Sequence, residues 1–302
     1  MGILFRRTAP PSESNPSLLQ PAAEELPRYP PFPTGLPAAP VERVLATQSQ
    51  LVAELQDALG FTDARFAERV APVLRRYAGF VHLLPASEAH HHRGAGGLLR
   101  HGLEVAFWAA RAAQGLVFAT DRTPAERRAL EPRWRLAAGL AGLCHDLGKP
   151  VSDVQVVSAS GEWTWQPLRE DLIAWAARTG TERYFLRWRE RVHGAHVPLA
   201  LLALPQVLPP QTLAWLADPE PAVLHALLQA VSGQGEDETL GRLVSEADRA
   251  SVERDLREHR LEASTGLLAV PVERHLVDAM RRLVGSGRWT VNRPGARVWV
   301  LD

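Results

Sequence analysis

A mostly helical bundle, carrying one inserted β-hairpin and ending in a small helix-plus-β-hairpin element, is the fold class that this 302-residue sequence predicts. Three observations predict it. Apolar residues recur at three- and four-residue steps through most of residues 41–265, the period of a helix with one buried face. Residues 136–147 are almost wholly apolar apart from His145 and Asp146, as in a helix buried on all sides. Strand-like patterning is confined to VQVVSASGEWTW and to the last residues of the chain.

The elements follow in order. Residues 1–40 hold a dense run of prolines (TAPPSESNPS, PRYPPFPTGLPAAP), which rules out regular helix or central strand. They predict an extended arm, with Tyr29 and Phe32 packing on the body. Helical patterning begins at VERVLATQSQLVAELQDALG, stopped by Gly60, and continues through ARFAERVAPVLRRYAGFVHLL. GAGG at 94–97 is too rich in glycine to lie inside a helix, so the next helix starts near Leu98 and carries His101. ATDRTPAERR reads as a polar loop, and WRLAAGLAGLCHDLG as the buried helix, ended by Gly148 and Pro150. After the hairpin, helices are expected in DLIAWAARTG, TERYFLRWRERVHGAHVPLALLAL, TLAWLADPEPAVLHALLQAVSG and ETLGRLVSEADRASVERDLREH.

The tail is different in kind: a basic helix, then two strand-like runs around Arg-Pro-Gly. Arg281, Arg282, Arg288 and Arg293 in it are either phosphate contacts of a winged-helix-like element or a solvated basic face. The expected division is thus a proline-rich arm at 1–40, a helical body at 41–265 and a basic element at 266–302.

Composition narrows the function classes. The formal charge is zero and the pI is near 7.2, so any contact with nucleic acid must come from a local patch instead of a whole-chain field. A single cysteine, Cys144, excludes a disulfide framework and reads as a small core residue. The longest apolar runs are too short to span a bilayer. MGILFRRTAPPSESN opens with a three-residue apolar run, too short for a secretory segment. A cytoplasmic location without membrane insertion is expected. Among the 34 basic residues there is one lysine, Lys149. In a chain otherwise committed to the planar guanidinium, that position either calls for a compact, flexible point charge or carries lysine by chance.

His145-Asp146 carries the strongest chemical signal. Burying an imidazole beside a carboxylate is costly unless they are paired, hydrogen-bonded or bound to a metal. His101, on the preceding buried helix, brings a second imidazole. Asp248 follows the apolar face Leu240, Leu243, Val244 and Ala247, and in isolation would read as a solvated residue beside Glu246 and Arg249. Between them lie His193 and His196, which share a helix face, and His225, a lone polar residue in an apolar helix. The ordered set His101, His145, Asp146, His196, His225 and Asp248, with His193 as the alternate ligand, offers imidazole and carboxylate without thiolate. Such a set suits Mn, Fe, Co, Ni or Zn, and two ions if Asp146 bridges.

The order H…HD…D resembles that of the HD phosphohydrolases, and His145-Asp146-Leu147-Gly148-Lys149 looks like their HD-x-GK form. The resemblance implies an HD-domain bundle in which metal ions activate a water for attack on phosphorus, with Lys149 beside the phosphoryl oxygens. A second motif, HHHRGAGGLLRHGLEVA, places His90, His91 and His92 across a glycine-rich bend from His101. One or two of them, His92 first and then His91, would reach a phosphate or support a ligand; a solvated polar turn is the alternative. The stretch running from YPPFP through YAGFVHLLPASEAHHHRGAGGLLRHGLEVA to CHDLGKPVSDVQV and RYFLRWRERVHGAH is similar to the N-terminal catalytic domain of the MobH class of conjugative relaxases, the TraI-like proteins of integrative elements.

That resemblance covers roughly residues 27–302. It implies metal-dependent nicking of single-stranded or supercoiled DNA at an origin of transfer, in company with a coupling protein. Relaxases of other classes attack with a tyrosine, so Tyr77 and Tyr184 are candidate nucleophiles as well as candidate packing residues. An HD-family 3′-to-5′ exonuclease and a non-catalytic DNA-binding module with a relic metal site remain as alternatives.

Overall fold

The computed structural model describes residues 30, 32–190, 192, 194–234, 238–264, 280–284 and 289. Tyr29, His193, Arg288, Arg293 and the two strand-like runs expected at the end of the chain lie outside the described residues. The protein is mostly helical with one small antiparallel sheet. The chain enters through a two-residue strand, β1 (Leu36–Pro37), and then forms α1 (Val41–Ala46), α2 (Ser49–Leu59), α3 (Asp63–Arg69) and α4 (Ala71–Val81). α5 (Gly97–Ala113) and α6 (Pro124–Cys144) are the central pair, and α12 (Thr239–Ser264) packs on both. Between them come α7 (Lys149–Ser152), β2 (Val154–Ser158), α8 (Leu172–Thr179), β3 (Arg183–Trp188), α9 (His196–Val207), α10 (Pro210–Ala217) and α11 (Ala222–Val231). No single described helix is long and apolar enough to cross a membrane.

α5 and α6 approach closely because glycine faces backbone at their crossing. A Cβ at Gly142 would stand 2.8 Å from the Val105 carbonyl oxygen, and one at Gly102 would stand 2.1 Å from the Tyr77 hydroxyl. Real Cβ atoms do not tolerate such distances, so larger residues would force the helices apart. The result is that His101 on α5 and His145, the C-cap of α6, meet with ring centroids 5.1 Å apart.

Three sequence expectations need correction. α6 begins at Pro124, inside the stretch read as a loop, because Thr123 and Glu126 form a reciprocal capping box that satisfies orphan backbone donors. The turn of VQVVSASGEWTW forms, with Ser158 N–H donating to the Trp163 carbonyl, but its second arm makes only an isolated bridge, Val157 to Thr164. The main partner of β2 is β3, in the register Val156 to Leu186, within the segment read as helix. Alternation explains this: Tyr184, Leu186 and Trp188 line one face of β3, while Arg183, Phe185 and Arg187 line the other. The end of the arm is likewise ordered, since β1 adds to the far edge of β3 and Phe32 packs against the core.

A buried polar knot joins these parts. His82, fully buried at a left-handed φ of 39° after α4, donates from Nε2 to the Ala39 carbonyl (2.9 Å), so its Nδ1 accepts the Tyr184 hydroxyl proton (2.8 Å). The Tyr184 oxygen in turn accepts from Leu83 N–H at 3.3 Å. Burial pushes the His82 pKa down to about 4, against a smaller upward pull from the Ala39 carbonyl. The unfolded chain therefore takes up a proton below about 6.5 that the native chain resists until about 4. Stability contributed by the neutral ring is complete above that window and falls as pH drops through it, by up to about 3 kcal/mol. Urea unfolding between pH 7 and 4 should show this loss, and a His82→Gln variant, which cannot titrate, should lose correspondingly less.

Candidate metal centre

Four elements converge beneath the end of α6. His101 comes from the middle of α5, His145 and Asp146 from the turn after α6, His196 from the first residue of α9, and Asp248 from α12. His101 Nε2 lies 3.4 Å from Asp146 Oδ2 and 3.3 Å from Asp248 Oδ1. His145 Nε2 lies 3.5 Å from Asp146 Oδ2 and 3.9 Å from Asp248 Oδ1, and His196 Nε2 lies 3.4 Å from Asp146 Oδ1. Lys149 Nζ is 2.5 Å from Asp146 Oδ2. Both Asp146 and Lys149 are buried, at 4% and 7% exposure, so the pair is largely withdrawn from water.

Donor chemistry fits a divalent cation. His145 Nδ1 donates to the Gly142 carbonyl at 2.7 Å, so in the neutral ring Nε2 carries a lone pair, and that lone pair faces carboxylate oxygens. His101 Nε2 is buried between Asp146 Oδ2 and Asp248 Oδ1. Nitrogen lone pairs converging with carboxylates are the pattern of an N/O coordination shell. His101, His145 and Asp146 bring ligand atoms within 4.8 Å of one another, and so do His91, His92 and His101.

Electrostatics follow from burial and these neighbours. Burial would raise Asp146, but Lys149, His145 and His101 hold its carboxyl well below the usual range. Asp248 is lowered in the same way, burial being outweighed by His101 and His145. Burial lowers His145 and His196, whereas in His101 the facing Asp146 and Asp248 overcome burial and raise the pKa.

Of the other sequence candidates, His91 and His92 are brought against the cluster. Their rings lie 4.9 and 4.8 Å from that of His101, on a loop whose His92 adopts a left-handed φ of 46°. Gly97 makes this possible, because a Cβ there would stand 1.8 Å from the His92 carbonyl oxygen. His90 is exposed. The structure does not bring His225 to the cluster: Val223, Leu227, Ala230 and Val231 form the buried stripe of α11, and position 225 falls on the solvent side of it. Arg281 and Arg282 are exposed in a helical stretch at 280–284.

Neither described tyrosine offers a free hydroxyl. Tyr77, buried, donates to the Leu98 carbonyl at 3.1 Å, and Tyr184 is held by His82 and Leu83. Burial raises both phenols. Cys144 is fully buried, with its thiol pushed up by burial, as befits a core residue.

Sequence reasoning missed Glu104, Ser251 and Asp255, all buried and bonded to the histidines. A signal existed in the spacing: Glu104 stands three residues after His101, and Asp248, Ser251 and Asp255 share one face of α12.

Gly148 fixes the last ligand. A Cβ there would stand 1.9 Å from the His196 carbonyl oxygen and 2.9 Å from Ala200 N. Gly148→Ala should push α9 outward and lower the unfolding free energy by about 1–3 kcal/mol in urea titrations.

One comparison with known proteins bears on the whole. The TraI_2 family model, described as "Putative helicase", matches residues 35–302. No curated protein matches the chain.

Proposed function

Because the chain belongs to the TraI_2 family, a relaxase-related TraI family of conjugation, we propose that it is a metal-dependent phosphodiesterase that nicks one DNA strand at an origin of transfer. The observation that carries this reading is the convergence of His101, His145, Asp146 and Asp248 from three parts of the bundle, with imidazole lone pairs turned towards carboxylates. Those four side chains would hold one divalent ion. Asp146 Oδ1, with His196 at 3.4 Å, offers a start for a second. Mn, Fe, Co, Ni and Zn all suit such ligands.

Bound there, a divalent ion supplies Lewis acidity and lowers the pKa of a coordinated water. The protein's own groups do the rest. The α5–α6 contact and α12 fix the ligands in place, and the buried helices exclude bulk water from one side. Lys149 places a compact positive charge beside Asp146, where it would face a phosphate drawn to the ion that Asp146 would hold. Arg281 and Arg282, which are exposed, and Arg288 and Arg293 further along the sequence would offer phosphate contacts to the DNA backbone. In this reading residues 41–265 are the catalytic body, flanked by the arm at 1–40 and the basic element at 266–302, and a coupling protein delivers the product to the conjugation machinery.

The family description speaks of a helicase. The phosphate-cradling loop GxxxxGK(S/T) of nucleotide-driven motors does not occur in these residues; Gly148-Lys149 is followed by Pro150, and its ammonium sits on Asp146. The residues therefore favour phosphate-ester chemistry. Among the described tyrosines, Tyr77 and Tyr184 are both tied to backbone or to His82 and form no adduct, which favours water as the nucleophile.

Supercoiled origin DNA incubated with Mn²⁺ tests this. Wild type should nick, EDTA should stop it, and Asp146→Ala should lose more than about 100-fold. Tyr77→Phe and Tyr184→Phe should still nick and leave clean ends. A protein-linked DNA species that disappears in either phenylalanine variant would contradict the hydrolytic reading, and undiminished nicking by Asp146→Ala would contradict the metal reading.

A further inference from the structure

Glu104 is a fully buried carboxylate with four neighbours. Its Oε1 accepts Arg100 Nε at 2.8 Å and lies 3.9 Å from Arg254, while its Oε2 accepts the Ser251 hydroxyl at 2.8 Å and faces His92 Nε2 at 3.3 Å. Burial would raise it, but His92, Ser251 and Arg100 hold it down to about 2. An ionised carboxylate only accepts hydrogen bonds, and that fixes the direction of every bond leading away from it.

Ser251 has one hydroxyl proton, and Glu104 receives it. The Ser251 oxygen, 3.0 Å from His101 Nδ1, must then accept, so Nδ1 carries a proton and, in the neutral ring, Nε2 is left bare. The second path runs the other way. His92 donates from Nε2 to Glu104, which leaves its Nδ1 as an acceptor 3.1 Å from His91 Nδ1. His91 must donate there, so its own bare nitrogen is Nε2 as well. Asp255 holds the loop in register by accepting His92 N–H at 2.8 Å.

We propose that Glu104 is the positioning residue of this centre: through Ser251 it sets the tautomer of His101, and through His92 it sets that of His91, so that both imidazoles keep Nε2 unprotonated, that of His101 beside Asp146. Glu104 itself touches none of the ligand oxygens. It acts through the imidazoles, as carboxylates behind metal-bound histidines do when they orient the ring and fix its proton. The placement also explains why an acid can be buried one turn from His101 on an otherwise apolar helix face, since four polar neighbours satisfy it.

The inference rests on the reading of the centre as a metal site for its consequence, but not for its geometry. ¹⁵N-imidazole spectra of the metal-free protein test the geometry alone. At a pH above the raised His101 pKa, where the ring is neutral, His101 should show the Nδ1–H tautomer in wild type and a mixed population in Ser251→Ala, which removes the acceptor and leaves only a methyl group. An Nε2–H tautomer in wild type, or an unchanged tautomer in Ser251→Ala, would overturn the proposal. Mn²⁺ titration by calorimetry tests the consequence, with Ser251→Ala and Glu104→Gln each binding about 10–100-fold more weakly than wild type while unfolding at a similar temperature. Equal affinity in both variants would overturn the proposal even if wild type binds. A wild type that binds no Mn²⁺ but shows the expected tautomers would overturn the metal reading and leave the positioning role intact.

Discussion

A single buried carboxylate, Asp146, sets the terms for the rest of the structure. Withdrawing a charged group from water costs several kcal/mol even after the protein relaxes around it, and the fold answers by gathering His101, His145, His196 and Lys149 about its two oxygens. Each comes from a different place in the chain, so α5, the end of α6, α7 and α9 are all committed to one point. Removing Lys149 would strip the buried carboxylate of its cationic partner. The same convergence gives the centre its chemistry, because the imidazoles gathered beside the carboxylate are groups that can share a cation with it.

Backbone approach is what allows the gathering. At the α5–α6 crossing Gly102 and Gly142 leave room for Tyr77 and Val105, and at the turn after α6 Gly148 lies on the first residues of α9. Gly97 lets the His91–His92 loop fold back on the helix that carries His101. These glycines are spread over more than fifty residues of sequence yet all border the cluster, so helix spacing and ligand spacing are one property.

Much of this was legible in the sequence for a physical reason. His145 and Asp146 stand out because polar residues in a helix apolar all round must be explained, and Asp248 stands out because it interrupts an apolar face. Glu104, Ser251 and Asp255 were not legible, since polar residues on an amphipathic helix look solvated until a partner helix covers them. His225 was read as a ligand from its apolar setting, but the stripe Val223, Leu227 and Ala230 turns it to solvent. β3 was hidden because its alternation is short and its arginines suit a helix equally well, and only pairing with β2 decides the matter. The capping box at Thr123 was a signal present in the sequence and passed over in favour of the surrounding polarity.

The central claim is that these side chains form one ion-binding centre around Asp146. Crystals grown with Mn²⁺ and measured at the manganese edge test it most directly. The account predicts an anomalous peak enclosed by His101, His145, Asp146 and Asp248. A peak elsewhere, with those four side chains bonded to no ion, or no peak at saturating Mn²⁺, would contradict it.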